Sequence, residues 1–163
     1  MGTRIEAIIF DGDPKTAALL AGLPTVAMTE RLTMLPVTEE VLCRLDPGAI
    51  GDEHIPDGWN LRRDVAALAR ALSRDRGVLY LFSETWAGPG VKESMAWRQG
   101  QLLYGPSGTC DIEADLEPGY QLALGDDAVN AGLRALGVRA IDGRDEYATV
   151  GLDKHRMGED WLS

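Results

Sequence analysis

Two acidic clusters stand out among the residues whose types and spacing could do chemistry. The first closes an apolar run, Ile8-Ile9-Phe10-Asp11-Gly12-Asp13. The second, Leu122-Ala123-Leu124-Gly125-Asp126-Asp127-Ala128-Val129-Asn130, sets a carboxylate pair before a helical pattern. Carboxylates so placed can transfer protons, attack an electrophile or hold a hard cation. They can equally cap helices, Asp13 ahead of Pro14 and Asp126 or Asp127 ahead of the segment that ends at Leu136. The two histidines are weaker candidates. His54 lies in Asp52-Glu53-His54-Ile55-Pro56-Asp57, where carboxylates could join it around a metal, but it reads first as a polar loop residue. His155, in Asp153-Lys154-His155-Arg156, reads as a solvated tail residue. Cys43 has no partner at a useful spacing, and the chain contains no nucleophile-elbow, phosphate-loop or dinucleotide fingerprint.

On these residues the first cluster resembles the opening motif of the haloacid-dehalogenase phosphotransferase family, in which an apolar strand ends in Asp-x-Asp, and the second resembles its last motif. The resemblance implies Asp11 as nucleophile, Asp13 as general acid/base, and Asp126 and Asp127 as residues that, with Asp11, help to hold Mg²⁺. Ser83 or Thr85 and Lys92 stand nearest to its middle motifs. It also implies a parallel sheet that brings Asp11, Asp13 and Asp127 to one pocket.

The elements that must position these residues follow from pattern and punctuation. Arg4 to Phe10 predicts a strand, Lys15 to Ala21 a short helix behind Pro14, and Thr25 to Met28 a brief strand; Arg31 to Leu35 has no clear period. Thr38 caps a short helix to about Leu45, with Glu39 and Glu40 opposing the helix dipole. Asp46 to Gly58 is a loop. Asn60 is expected to cap the strongest amphipathic helix, Leu61 to Arg74, which Gly77 ends. Val78 to Phe82 is an unbroken apolar run, expected mid-sheet and covered on both faces. Glu93 to Arg98 and Gln101 to Tyr104 flank Gln99-Gly100 as a hairpin. Gly105 to Gly119 is an acidic exposed connection, with room for a short strand near Ile112. A helix capped by Asp126 or Asp127 runs to Leu136 and stops at Gly137, Val138 to Ile141 is a short strand, and Trp161 docks on the body. The fold class is therefore α+β, a single domain over residues 1–163 with a mostly antiparallel sheet, a central hairpin and packed helices.

Composition narrows the partners. The chain has 163 residues, 45% of them hydrophobic, enough for one core. With 26 acidic against 16 basic residues the net charge is −10, which disfavours nucleic acid and favours a cationic protein. No apolar run has the length of a membrane-spanning helix and no leader pattern is read, so no membrane partner is expected. Two cysteines, Cys43 in a helix and Cys110 in a loop, read as free thiols of a reducing, cytoplasmic compartment. Tyr80 to Pro106, with Gly151-Leu152-Asp153-Lys154-His155-Arg156 and Glu159-Asp160-Trp161, loosely resembles small bacterial acidic proteins, some of which are immunity partners of interbacterial toxins. The favoured reading is a non-catalytic acidic protein-binding module, most concretely an immunity or antitoxin-type protein that occludes a cationic partner such as a toxin. It would use Trp86 and the carboxylates Asp111, Glu113, Asp115 and Glu117, and would need no cofactor; a homodimer is compatible. The alternative is a small Mg²⁺-dependent phosphatase.

Overall fold

The computed structural model describes residues 2–13, 20, 22–29, 31–46, 48, 53–86, 90–111, 119–123 and 125–162. Among these, seven strands make one sheet: β1 (Thr3–Asp11), β2 (Val26–Ala27), β3 (Leu32–Pro36), β4 (Val78–Thr85), β5 (Gly90–Arg98), β6 (Gln101–Cys110) and β7 (Gln121–Leu122). Their order across the sheet is β2-β3-β1-β4-β5-β6-β7, and every pairing is antiparallel except β6 with β7. Four α-helices accompany it: α1 (Glu39–Arg44), α2 (Arg63–Leu72), α3 (Ala128–Leu136) and α4 (Glu146–Thr149). The protein is thus an α+β fold on a mostly antiparallel sheet. No helix among the described residues is long and apolar enough to cross a membrane.

Strand alternation sorts the core into two halves. Ile8, Phe10, Tyr80, Phe82, Met95 and Trp97 face α1 and α2, packing on Val41, Val65, Ala69 and Leu72. Ile5, Ala7, Ile9, Leu79, Leu81 and Ala96 face the other way, onto Val129, Leu133, Leu136, Val150 and Trp161. Helices on both faces leave the sheet as a middle layer. This is why Val78 to Phe82 can be apolar at every position: β4 is the fourth of seven strands and each of those residues is buried. The hairpin around Gln99-Gly100 lies to one side of this centre, where β5 and β6 pair from Arg98 and Gln101. Both turn residues have positive φ, 54° and 72°, the backbone that a primed two-residue turn requires.

The local signals at helix ends are realised where the side chain has no better partner. The Thr38 hydroxyl accepts from Val41 N, the Asp127 carboxylate from Asn130 N, and Gly137 closes α3 in the left-handed region at φ 105°. Asn60 does not cap α2. The helix starts later, behind Arg62, which makes no side-chain cap, and Asn60 instead donates from its backbone N and from Nδ2 to Glu93. Val138 to Ile141 is not a strand: it pairs with no strand among the described residues, and Ile141 is exposed. Leu32 to Pro36, without clear period in sequence, is a strand because β1 pairs with it from Asp11 through Ala7. Cys110 ends β6 rather than lying in a loop, and it forms no disulfide with Cys43. The expected helix over 15–21 and the expected strand near Ile112 fall outside, or largely outside, the described residues.

Gly132 sets how closely α3 approaches the sheet. A Cβ there would lie 2.8 Å from Leu79 Cδ1 and 2.9 Å from Ser94 Cβ, while Ser94 Oγ donates to Ala128 O at 2.5 Å. Gly132→Val is therefore expected to lower stability by about 2 kcal/mol through overpacking. Urea denaturation checks this, and a variant as stable as the wild type would show that α3 can lift at little cost.

Candidate functional site

One end of the sheet gathers most of the polar side chains that could do work. There Thr3, Thr85 and Gly90 align across β1, β4 and β5, followed by Arg4, Glu84 and Val91, then Ile5, Ser83 and Lys92, then Glu6, Phe82 and Glu93. Alternation sends these rows to opposite faces, so the end carries two different polar environments.

On the α3 and α4 face lies a pocket of about 300 Å³, lined by Thr3, Ser83, Thr85 and Lys92 from the sheet and by Asp127, Asp145, Tyr147, Asp153, His155 and Arg156 from the packed helices and tail. The carboxylates are placed by their capping roles. Asp127 heads α3 and Asp145 heads α4, and Asn130 bridges them, donating from Nδ2 to Asp127 Oδ2 at 3.3 Å and to Asp145 Oδ2 at 3.2 Å. Asn130 Oδ1 also accepts from Tyr147 N at 2.9 Å. Lys92 Nζ sits 3.5 Å from Asp127 Oδ2. His155 meets the Trp161 ring edge-on, with centroids 4.7 Å apart. Burial, reinforced by the Asp153, Asp127 and Asp145 charges, pushes the Tyr147 hydroxyl up to about 12. The lining sets the carboxylates of Asp127, Asp145 and Asp153 against the cations Lys92 and Arg156, which leaves carboxylates in excess. Such a pocket can receive an ammonium or guanidinium group.

Asp127→Ala removes an N-cap and is expected to cost about 1 kcal/mol, whereas Asp127→Asn keeps a capping oxygen and costs a few tenths. Thermal denaturation of the pair separates capping from the Lys92 ion pair; equal losses would assign the effect to the ion pair.

The opposite face holds two carboxylates among apolar side chains. Tyr80 OH donates to Glu6 Oε1 at 3.0 Å, and Glu93, fully buried, accepts from Asn60 and from the Tyr120 hydroxyl. The Arg4 guanidinium lies 5.1 Å above the Phe82 ring and pairs with Glu84 at 3.1 Å. Burial raises Glu6 from the ordinary 4.5 to about 7, opposed by the Tyr80 hydrogen bond and Arg4 and assisted by Glu93. Glu93 is also raised, by burial, against the Tyr120 and Asn60 hydrogen bonds. Sequence reasoning passed over this pair, although a signal was present: Glu6 is in phase with Ile8 and Phe10, and Glu93 in phase with Met95 and Trp97, so each carboxylate falls on the face that its strand's large apolar side chains occupy.

Trp86 follows directly on Thr85 and is 50% exposed. Asp111, also exposed, donates its backbone N–H to Gly90 O at 3.1 Å, so it flanks the same end of the sheet. Glu113, Asp115 and Glu117 lie outside the described residues.

The phosphotransferase arrangement is not assembled. Ser83, Thr85, Lys92 and Asp127 do share the pocket. Asp11, however, ends β1 eight residues from Thr3, about 26 Å away at strand rise, where its carboxylate is 3.8 Å from Arg98. Asp13 is exposed beyond that same end. Asp126 turns to Arg134, which also holds Glu146 at 3.0 Å. The sheet is antiparallel where the family resemblance implied parallel strands. Asp11, Asp126 and Asp127 therefore do not fit a shared Mg²⁺ site, and the nucleophile role for Asp11 and the acid/base role for Asp13 lose their geometry. Among the described residues no group of three or more His, Cys, Asp or Glu side chains is set to hold a metal ion; His54 lines a separate cavity, with Arg70, Trp97 and Leu102.

Compared with family models, with curated proteins and with solved structures, the chain has no match in any of the three.

Proposed function

We propose that this chain is a non-catalytic acidic binding module of the cytoplasm that covers a cationic protein, most concretely an immunity or antitoxin-type protein and its toxin. The observation that carries the reading is the half-exposed Trp86 next to the carboxylate-lined pocket. An exposed tryptophan directly after a strand end is the type of side chain that dominates interface energies. Asp127, Asp145 and Asp153 offer a receptor for a lysine or arginine of the partner, and Asp111 extends the acidic rim beside Gly90. The net charge of −10 speeds encounter with a basic surface and discourages acidic competitors.

Co-expression with the product of the neighbouring gene tests the proposal. A complex that elutes as one species in size exclusion, and separates at high salt, is the expected result. Two proteins that elute independently at low salt contradict it.

A further inference from the structure

We infer that the pocket beside Trp86 takes one residue that carries both charges, a basic amino acid with a free carboxylate; this narrows the reading of that pocket as a receptor for a basic side chain, on which it rests. The lining is mixed in sign, and its groups divide by depth. Lys92, with a side chain 18% exposed, lies on β5 directly across from Ser83 on β4, so the two side chains start about 5 Å apart on the face that α3 covers. Ser83 is 2% exposed and lines the pocket, and its hydroxyl makes no hydrogen bond with the described residues. It is not one of the unpartnered atoms sealed from solvent, as the Trp97 and Trp161 indole nitrogens are, so the little surface its Oγ keeps opens into the pocket.

A buried hydroxyl without a partner is costly. Beside an ammonium that gives one direction to Asp127 Oδ2 and has further protons to donate, it is placed to hold an anionic oxygen, and a carboxylate shared by the two gains charge-assisted bonds. At the mouth the sign reverses. Asp153 is exposed and has no hydrogen bond or ion pair with the described residues, and the Tyr147 hydroxyl has none either. Asp145 accepts from Ala148 N and from Asn130 Nδ2 and keeps a further lone pair on each oxygen. Arg156 offsets one of these two carboxylates and leaves the other for a guanidinium or ammonium. The volume of about 300 Å³, at the lower limit for ligand pockets, suits a single residue. Such a residue is either the C-terminal arginine or lysine of the partner or the same amino acid in free form.

Nitrogen–proton correlation spectra of the ¹⁵N-labelled full chain, followed at the backbone amides of Ser83, Lys92 and Tyr147, read the site. Acetylarginine carries the carboxylate and the cation as a chain end does; its amide lacks the carboxylate, acetylnorleucine lacks the cation, and free arginine adds the α-ammonium. Saturable movement of those amides by acetylarginine or by arginine, with the amide and the norleucine derivative at least about tenfold weaker, is the expected result. Tighter binding of acetylarginine assigns the site to a chain end, and tighter binding of arginine to the free amino acid. The amide is the more cationic probe, so a surface that is merely acidic would prefer it to acetylarginine. Ser83→Ala, which breaks no hydrogen bond, should weaken acetylarginine about tenfold and leave the amide unchanged; Lys92→Gln makes the same test if that variant does not fold. No movement up to about 5 mM of acetylarginine or arginine, or an amide that binds as tightly as acetylarginine, overturns the inference. Neither result bears on the complex with the neighbouring gene's product, which size exclusion reads separately.

Discussion

Replacing Glu6 by Gln stabilises the fold by about 3 kcal/mol at pH 8 and by less than about 1 kcal/mol at pH 5. The sign follows from where the proton is held. Glu6 titrates near 7 in the folded chain against 4.5 in the unfolded one, because burial among Tyr80, Phe82 and their neighbours disfavours the charged form. Between those values the native state binds more protons than the unfolded state, so stability falls as pH rises through the window and the full penalty is present above 7. Gln at this position keeps an oxygen to accept from Tyr80 OH and carries no charge to desolvate. The wild type should for the same reason lose stability from about pH 5 to pH 8, with Glu93, which is raised by burial too, adding to the slope. Denaturant titrations of both proteins at the two pH values decide this. A Gln variant less stable than the wild type at pH 8, or an equal difference at both, would mean that Arg4 and Arg62 hold Glu6 ionised after all.

The second large effect concerns the partner surface. Trp86→Ala should weaken binding to the proposed cationic partner by about 2–4 kcal/mol, about 30- to 1000-fold, while stability changes by less than about 0.5 kcal/mol because the ring is half in solvent. Asp145→Asn should act differently, weakening association mainly at low salt, since it removes charge from the pocket but leaves an oxygen to cap α4. A Trp86→Ala protein that loses binding only because it unfolds would show a lowered denaturation midpoint, which distinguishes the two causes.

Much of the architecture is legible in the residues themselves, where the deciding interaction is local. Thr38, Asp127 and Gly137 mark helix ends through bonds to backbone three or four residues away, and Gln99-Gly100 marks its turn through φ alone. Val78 to Phe82 reveals its central place because only a strand buried on both faces tolerates five apolar residues in succession. Where the deciding partner is distant, pattern fails. Leu32 to Pro36 becomes a strand through β1, and Asn60 leaves the helix it could cap for Glu93, thirty-three positions on. Val138 to Ile141 has the composition of a strand and no strand to pair with among the described residues. The site divides in the same way. Trp86 and Asp111 are recognisable one at a time, as an aromatic beside a Gly/Pro turn and an acid in a polar connection. That they share one end of the sheet with Lys92, Asp127 and Asp145, while Asp11 lies at the other, depends on the antiparallel strand order and is written in no single motif.

The central claim is that the Trp86 end of the sheet binds a basic protein. Titration calorimetry of the purified product of the neighbouring gene into the wild type and into Trp86→Ala, at low and at high salt, tests it most directly. The account predicts a one-to-one complex that weakens with salt and loses at least about 30-fold in affinity in the variant. No heat of binding to the wild type, or equal affinity for both proteins, would contradict it.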